Sequence, residues 1–345
     1  MAELKRRKVI MDIDTGSDDA VAIIAAMMSP EFEVMGLCTV NGNREVKLTT
    51  LNTLRVAELL NSNVPVYKGC EYPMVATLAP GRKPNIPWRE GEMAKINPLV
   101  NLIHGDHLPL PGPTWKKEED MDAVSFYIDA LVHAEEKVTL IPVGPLTNIA
   151  MAMRCDSRIC ENIEEIMIMG GGDRVTNASA TAEFNIWVDP DAAEVVMFYA
   201  TKYGIKVTWV PLDATHDAVM TMDDAAELRT YGTPVADAVA DFVEQRTIGY
   251  RNHPNMEAQN GSPIHDAVAV LALIEPSILL DVEHCAVHVD FSGGIADGQT
   301  CIDRRENVSI EKPNCYFAHH ADRNKFVSMM KNIIKRNVVY SKGGK

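Results

Sequence analysis

Six stretches of strand length in this chain are apolar almost throughout, and they constrain its fold more than any other feature. They read KVIMDID (8–14), EVMGLCTV (33–40), KVTLIPV (137–143), EEIMIMG (164–170), IKVTWVPL (205–212) and CAVHVDF (285–291). A strand with one wet face alternates apolar and polar residues, whereas a strand covered on both faces has no need to. Helical signals lie between the runs, at 18–28, 45–61 (apolar at Val46, Leu51, Leu54 and Leu59), 189–203, 234–247 and 263–274. Strand–helix alternation of this kind predicts an α/β fold, a doubly wound, mainly parallel sheet flanked by helices. A chain of 345 residues has room for one large domain or two. No repeat and no linker divides it, so one domain is expected over 1–335, with a polar tail from 336 to 345.

Composition narrows the function classes. A net charge of −15 argues against a nucleic-acid or anionic-membrane partner, since either needs a basic patch. No window approaches the roughly 18 consecutive apolar residues of a membrane span. The opening MAELKRRKVI has basic residues but no long apolar run behind them, so neither a signal peptide nor an anchor is expected. The seven cysteines are odd in number and scattered, with no CxxC pair. Reduced thiols, and hence a cytoplasmic location, are the expectation.

The chemistry gathers first at DIDTGSDDA (12–20), where Asp12, Asp14, Asp18 and Asp19 fall within eight positions between apolar runs. If KVIMDID is a strand and Gly16–Ser17 the turn into a helix, Asp14 lies at the strand's carboxyl end. Ligands bind open α/β sheets at that edge. Acids in a helix's first turn are favoured by its dipole, and Ser17 or Asp18 would serve as a cap. That accounts for one or two carboxylates, but not for Asp12 and Asp14 in an apolar strand. Carboxylates without thiol or imidazole partners suit a hard cation, Ca²⁺ or Mg²⁺. DIDT also matches, loosely, the DxDxT nucleophile motif of haloacid-dehalogenase-like phosphatases, with Asp12 as nucleophile and Asp14 as acid/base. MGGGD, ending at Asp173, would then be the second acidic motif.

Four further stretches fall at strand-to-helix junctions on the same edge: NGN (41–43), IPVGPLTNIA (141–150), TNASATAEFN (176–185) and SPIHDAVAVLALI (262–274). Pro145 is placed to open a helix, so the strand-end carbonyl of Val143 is free to serve a metal. Taken singly, each has an ordinary explanation, because Asn and Gly are turn residues and a first-turn His or Glu is unremarkable on a surface. Together, Asn43, Asn177, Glu183, Asn185, His265 and Asp266 form a ring of donors and acceptors suited to a polyhydroxyl ligand beside a cation. Two long polar stretches, 77–115 and 248–262, are either lids or surface excursions.

With these residues assembled, the chain resembles the inosine–uridine-type nucleoside hydrolases. DIDTGSDDA is similar to that family's DxDxxxDDxxA signature, and VNGN, PVGPLTNIA, MGGG, NASATAEFN, DPDAA (189–193) and HDAVAV follow in the family's order. The resemblance runs from about residue 8 to about residue 326. It implies hydrolysis of the N-glycosidic bond of ribonucleosides by a Ca²⁺-bound water, with Asp14 as general base. It further implies Ca²⁺ ligands Asp14, Asp19, Asp266 and the Val143 carbonyl. Ribose contacts would come from Asp18, Asn43, Asn177, Glu183 and Asn185, with Asp12 orienting the turn. His104 would line the base site, and His265 would protonate the leaving base. A homodimer or homotetramer is also implied. HGDHLPLPGP (104–113) and IGYRNHPNMEAQNG (248–261) depart from the family's pattern beside the base pocket, which leaves base preference open. Two other readings stand against this one: the phosphatase, and a non-catalytic ribonucleoside-binding protein.

Overall fold

The computed structural model describes residues 5–79, 82, 100–252, 254–305 and 312–336. Its centre is a nine-stranded sheet: β1 (Arg7–Ile13), β2 (Phe32–Thr39), β3 (Val66–Lys68), β4 (Val138–Pro142), β5 (Ile163–Met169), β6 (Lys206–Val210), β9 (Leu279–Val289), β10 (Thr300–Asp303) and β11 (Cys315–Ala321). Their order across the sheet is β10-β9-β11-β6-β5-β4-β1-β2-β3. From β3 through β11 every pairing is parallel, and at the other edge β9 alone runs against the rest, pairing antiparallel with both β11 and β10. The remaining strands, β7 (Val219–Thr221) and β8 (Gly261–Pro263), form a separate antiparallel pair.

Both faces of the sheet are covered, as the unbroken apolar runs require. β1 shows the alternation directly: Val9, Met11 and Ile13 pack into one core, Ile10 into the other. The first core holds α1 (Ser17–Met28), α6 (Pro234–Gly249), α7 (His265–Ile274) and α8 (Arg323–Lys335). The second holds α3 (Ala123–Val132), α4 (Thr147–Cys155) and α5 (Pro190–Tyr203). All twelve residues of α1 are buried, so this helix has no solvent face at all. α2 (Val46–Leu59) follows β2 and packs back against it.

The order 3-2-1-4-5-6 reverses direction between β1 and β4, the point at whose carboxyl edge doubly wound sheets bind their ligands. Asp14 leaves β1 on one side of that point, and Val143 leaves β4 on the other. The helix expected over 263–274 begins at His265, because Gly261–Pro263 instead pairs with Val219–Thr221. The stretch 248–262 likewise holds a short helix, Pro254–Gln259, and β8 in place of an irregular loop. Residues 80–81 and 83–99 of the other long stretch lie outside the described residues, as does the tail beyond Arg336. Among the described residues, no helix is long and apolar enough to cross a membrane.

Candidate active site at the switch point

The turn after β1 is tied together by its own acids. Asp19 accepts from the backbone N–H of Asp14 at 3.1 Å and of Gly16 at 2.8 Å, so it caps the helix that carries it. The Asn43 side-chain amide also donates to Asp19, at 3.3 Å. Asp14 accepts from the Asn43 backbone N–H at 2.6 Å. Two glycines leave space for its carboxylate: a Cβ at Gly42 would collide with Oδ2, and one at Gly144 would lie 2.9 Å from Oδ1. Gly16 leaves room for His104, whose Nδ1 would otherwise meet a Cβ at 2.8 Å. The His104 segment is anchored on both sides of that contact. Ser17 Oγ donates to the Ile103 carbonyl at 3.0 Å, and Asn52 bonds the backbone of Asp106 and Leu108.

Asp18, Asp19 and Asp266 bring one carboxylate oxygen each within 4.8 Å of one another. Asp14 stands beside them, all four are buried, and together they form the negative centre of the crevice. Burial first, and then mutual repulsion, raises the Asp14 and Asp266 carboxyls well above their ordinary range. The same causes push Asp19 up to about 7. Carboxylates forced this close out of water either take up protons or share a cation. The donor set is oxygen throughout, with the Val143 carbonyl alongside, and this fits a hard divalent ion. That carbonyl already accepts from Asn185 Nδ2 at 2.8 Å, and its second lone pair is still available to an ion.

The remaining sequence-derived residues divide. Asn185 is buried, with its amide nitrogen spent on the carbonyls of Val143 and Met169. Glu183 caps the short helix Phe184–Val188, accepting from Asn185 N and Ile186 N, and it also accepts from Gly171 N. Asn177 is exposed, and its Oδ1 accepts from Phe184 N at 2.9 Å. Asp12 points to the opposite face of β1 from Ile13. There both its oxygens accept from Asn148 Nδ2, at 3.2 and 3.1 Å. Asn148 Nδ2 also reaches the Thr39 carbonyl, so Asp12 fastens β1, β2 and α4 to one another. A nucleophile needs an open approach, and this carboxylate is wholly buried beneath that amide.

His265 opens α7 between two hydroxyls. Thr215 Oγ1 is 2.7 Å from Nδ1 and Tyr250 OH is 3.3 Å from Nε2. Burial, assisted by the neighbouring charges of His216 and Arg246, holds its imidazole well below the usual histidine range. The ring is therefore held in its neutral form, with a phenol at its Nε2. Burial likewise pushes His104 down to about 4. Tyr250, Thr215 and Arg246 were not read from the sequence as site residues. Arg246 left one signal: it falls on the buried stripe of α6 formed by Val239, Phe242 and Val243.

An all-oxygen acidic cluster thus lies at the switch point of a doubly wound sheet, beside a buried histidine bonded to a half-buried tyrosine. Residues 9–328 match the inosine-uridine preferring nucleoside hydrolase family, and the chain belongs to it. These enzymes cleave the N-glycosidic bond of ribonucleosides. The pyrimidine-specific ribonucleoside hydrolase RihB of Escherichia coli O17:K52:H18 is 33% identical over 304 residues, 87% of this chain and 88% of the relative. RihA of Shewanella sp. strain ANA-3, also described as pyrimidine-specific, is 32% identical over 94% of this chain and 95% of its own length. Among solved structures, a purine-preferring ribonucleoside hydrolase from Gardnerella vaginalis superposes with a TM-score of 0.81 at 28% identity, covering 95% of this chain and 98% of that one. A plant nucleoside hydrolase gives the same TM-score at 26% identity, covering 96% and 99%.

Proposed function

We propose that this chain hydrolyses ribonucleosides to ribose and free base in a Ca²⁺-dependent reaction, with Asp14 as general base. The observation that carries the proposal is the convergence of Asp14, Asp18, Asp19 and Asp266, buried together where β1 and β4 part. Asp14, Asp19, Asp266 and the Val143 carbonyl would hold the ion, which supplies the positive field that steadies and acidifies the attacking water. Asp14 takes a proton from that water as its oxygen bonds to the anomeric carbon. The carbon passes through an oxocarbenium-like state, and the surrounding carboxylates stabilise its charge. Asp18 lies against the 2′-hydroxyl, with Asn43, Asn177, Glu183 and Asn185 framing the rest of the sugar. On the far side of the bond, His104 lines the base pocket and Tyr250, seated by His265, donates to the departing base.

The pyrimidine specificity named for RihB and RihA supports uridine and cytidine as the first substrates to test. A homodimer or homotetramer in the cytoplasm completes the reading. The test is release of reducing sugar from uridine, cytidine and inosine and from their 2′-deoxy counterparts. The ribonucleosides should turn over, and the deoxy forms should be poorer by about 10⁴-fold, since the site pairs its buried polar groups with a hydroxyl they lack. Phosphate release from phosphomonoesters, or equal rates on both sugars, would refute the assignment.

A further inference from the structure

One buried charge in this site has no place in the mechanism above. Arg246 is wholly shielded from solvent near the end of α6. Its Nη1 meets Asp18 Oδ1 at 2.8 Å and Ser17 Oγ at 3.2 Å, and its Nε donates to the Pro263 carbonyl at 3.2 Å. Nη2 is equally buried and has no hydrogen-bond partner among the described residues. Guanidinium groups are seldom buried unless their donors are used, because an unpaired donor loses its water without replacement. The cation lies 5.8 Å from the centre of the Tyr250 ring, and its charge bears on both His104 and His265. His104 Nδ1 is a second buried polar atom without a partner among the described residues. Two idle polar groups, one of them cationic, thus stand within reach of the Asp18 charge.

We propose that Arg246 is a catalytic residue that holds the departing base, donating from Nη2 to the acceptor next to the glycosidic nitrogen. That acceptor is O2 of a pyrimidine or N3 of a purine. The inference rests on the ribonucleoside-hydrolase reading, in which Asp18 faces the 2′-hydroxyl. The base is attached one carbon from that hydroxyl, so a guanidinium gripping Asp18 with one nitrogen presents the other towards the base. As water's oxygen bonds to the anomeric carbon, the carbon–nitrogen bond breaks and its electron pair passes to the base. Arg246 transfers no proton. It offers a permanent charge to the anion that forms. The base then takes a proton from the Tyr250 hydroxyl, which solvent replenishes, and Asp14 returns its proton to solvent.

The test compares two leaving groups on the calcium-loaded full chain. Uridine releases a base that leaves badly, whereas p-nitrophenyl β-D-ribofuranoside releases a phenolate that is stable unaided. In Arg246→Gln the ratio of kcat/KM for uridine to that for the aryl riboside should fall by about 10²- to 10³-fold, the usual effect of removing one such donor. The ratio does not depend on how much of the preparation is folded. Equal losses on both substrates would overturn the proposal and reduce Arg246 to a support for Asp18. Should the glutamine variant not fold, Arg246→Met, which keeps the length without the charge, is read in the same way, and an unchanged ratio again overturns it. A wild-type chain that releases ribose from neither substrate would instead refute the hydrolase reading.

Discussion

The backbone N–H of Asn43 donates to Asp14 Oδ2 at 2.6 Å, and the residue before it, Gly42, has no space for a side chain on that oxygen. The loop after β2 therefore sets the position of the carboxylate after β1. Gly42→Ala should push Asp14 out of place while leaving the sheet intact. Activity on a good ribonucleoside should drop by about 10²-fold, the scale of an ångström-sized misplacement, with an unchanged far-ultraviolet circular dichroism spectrum. Full activity in this variant would show that the Asp14 position is not critical.

Asp12 gives a pH dependence of stability. Burial raises its carboxyl from 3.8 to about 7, against the hydrogen bonds from Asn148 and Tyr127. A carboxyl whose pKa is raised by folding stabilises the fold while protonated. Its contribution is complete below about pH 4 and is lost as pH rises through about 7. Asp12→Asn removes the titration, so its stability relative to wild type should improve by about 2–3 kcal/mol between pH 5 and pH 8. Urea unfolding at the two pH values, with calcium present throughout, measures the difference. A constant offset would mean that Asp12 stays ionised in the folded chain.

His265 and Tyr250 make a kinetic prediction. Because burial holds the imidazole neutral, no loss of rate should follow its deprotonation as pH rises from 6.5 to 8. Tyr250→Phe should lower kcat for uridine by about 10²-fold, within the range for a single proton donor, with a much smaller change in KM. A falling limb near pH 6.5 that disappears in His265→Asn would establish an imidazolium acid instead.

Much of this site was legible because it broke a local rule. Aspartates at 12 and 14 interrupt an apolar run, and the structure gives each a distinct use, Asp12 within β1 on Asn148 and Asp14 just beyond its end on the Asn43 backbone. The long buried strands were legible for the same reason that they are buried on both faces. β3 and β7 are three residues each, too short to carry a period. β11 reads CYFAHHA, whose two histidines hide its place beside β6 and β9. α8 shows a clear stripe of Phe326, Met330 and Ile333 and went unmarked. Contacts between distant segments were out of reach: nothing local to Thr215 or Tyr250 indicates that both meet His265. Nor does the α6 sequence indicate that Arg246 meets Asp18 across the interior.

The central claim, that a cation held by these acids readies water for attack under the control of Asp14, is met most directly by one titration. Enzyme stripped with a chelator is assayed for ribose release from uridine as Ca²⁺ is added back, in wild type and in Asp14→Asn. Stripping should abolish turnover, Ca²⁺ should restore it in wild type, and the variant should stay about 10²- to 10⁴-fold slower at saturating Ca²⁺. Undiminished ribose release by the stripped wild-type enzyme, or equal rates for the two proteins, would contradict it.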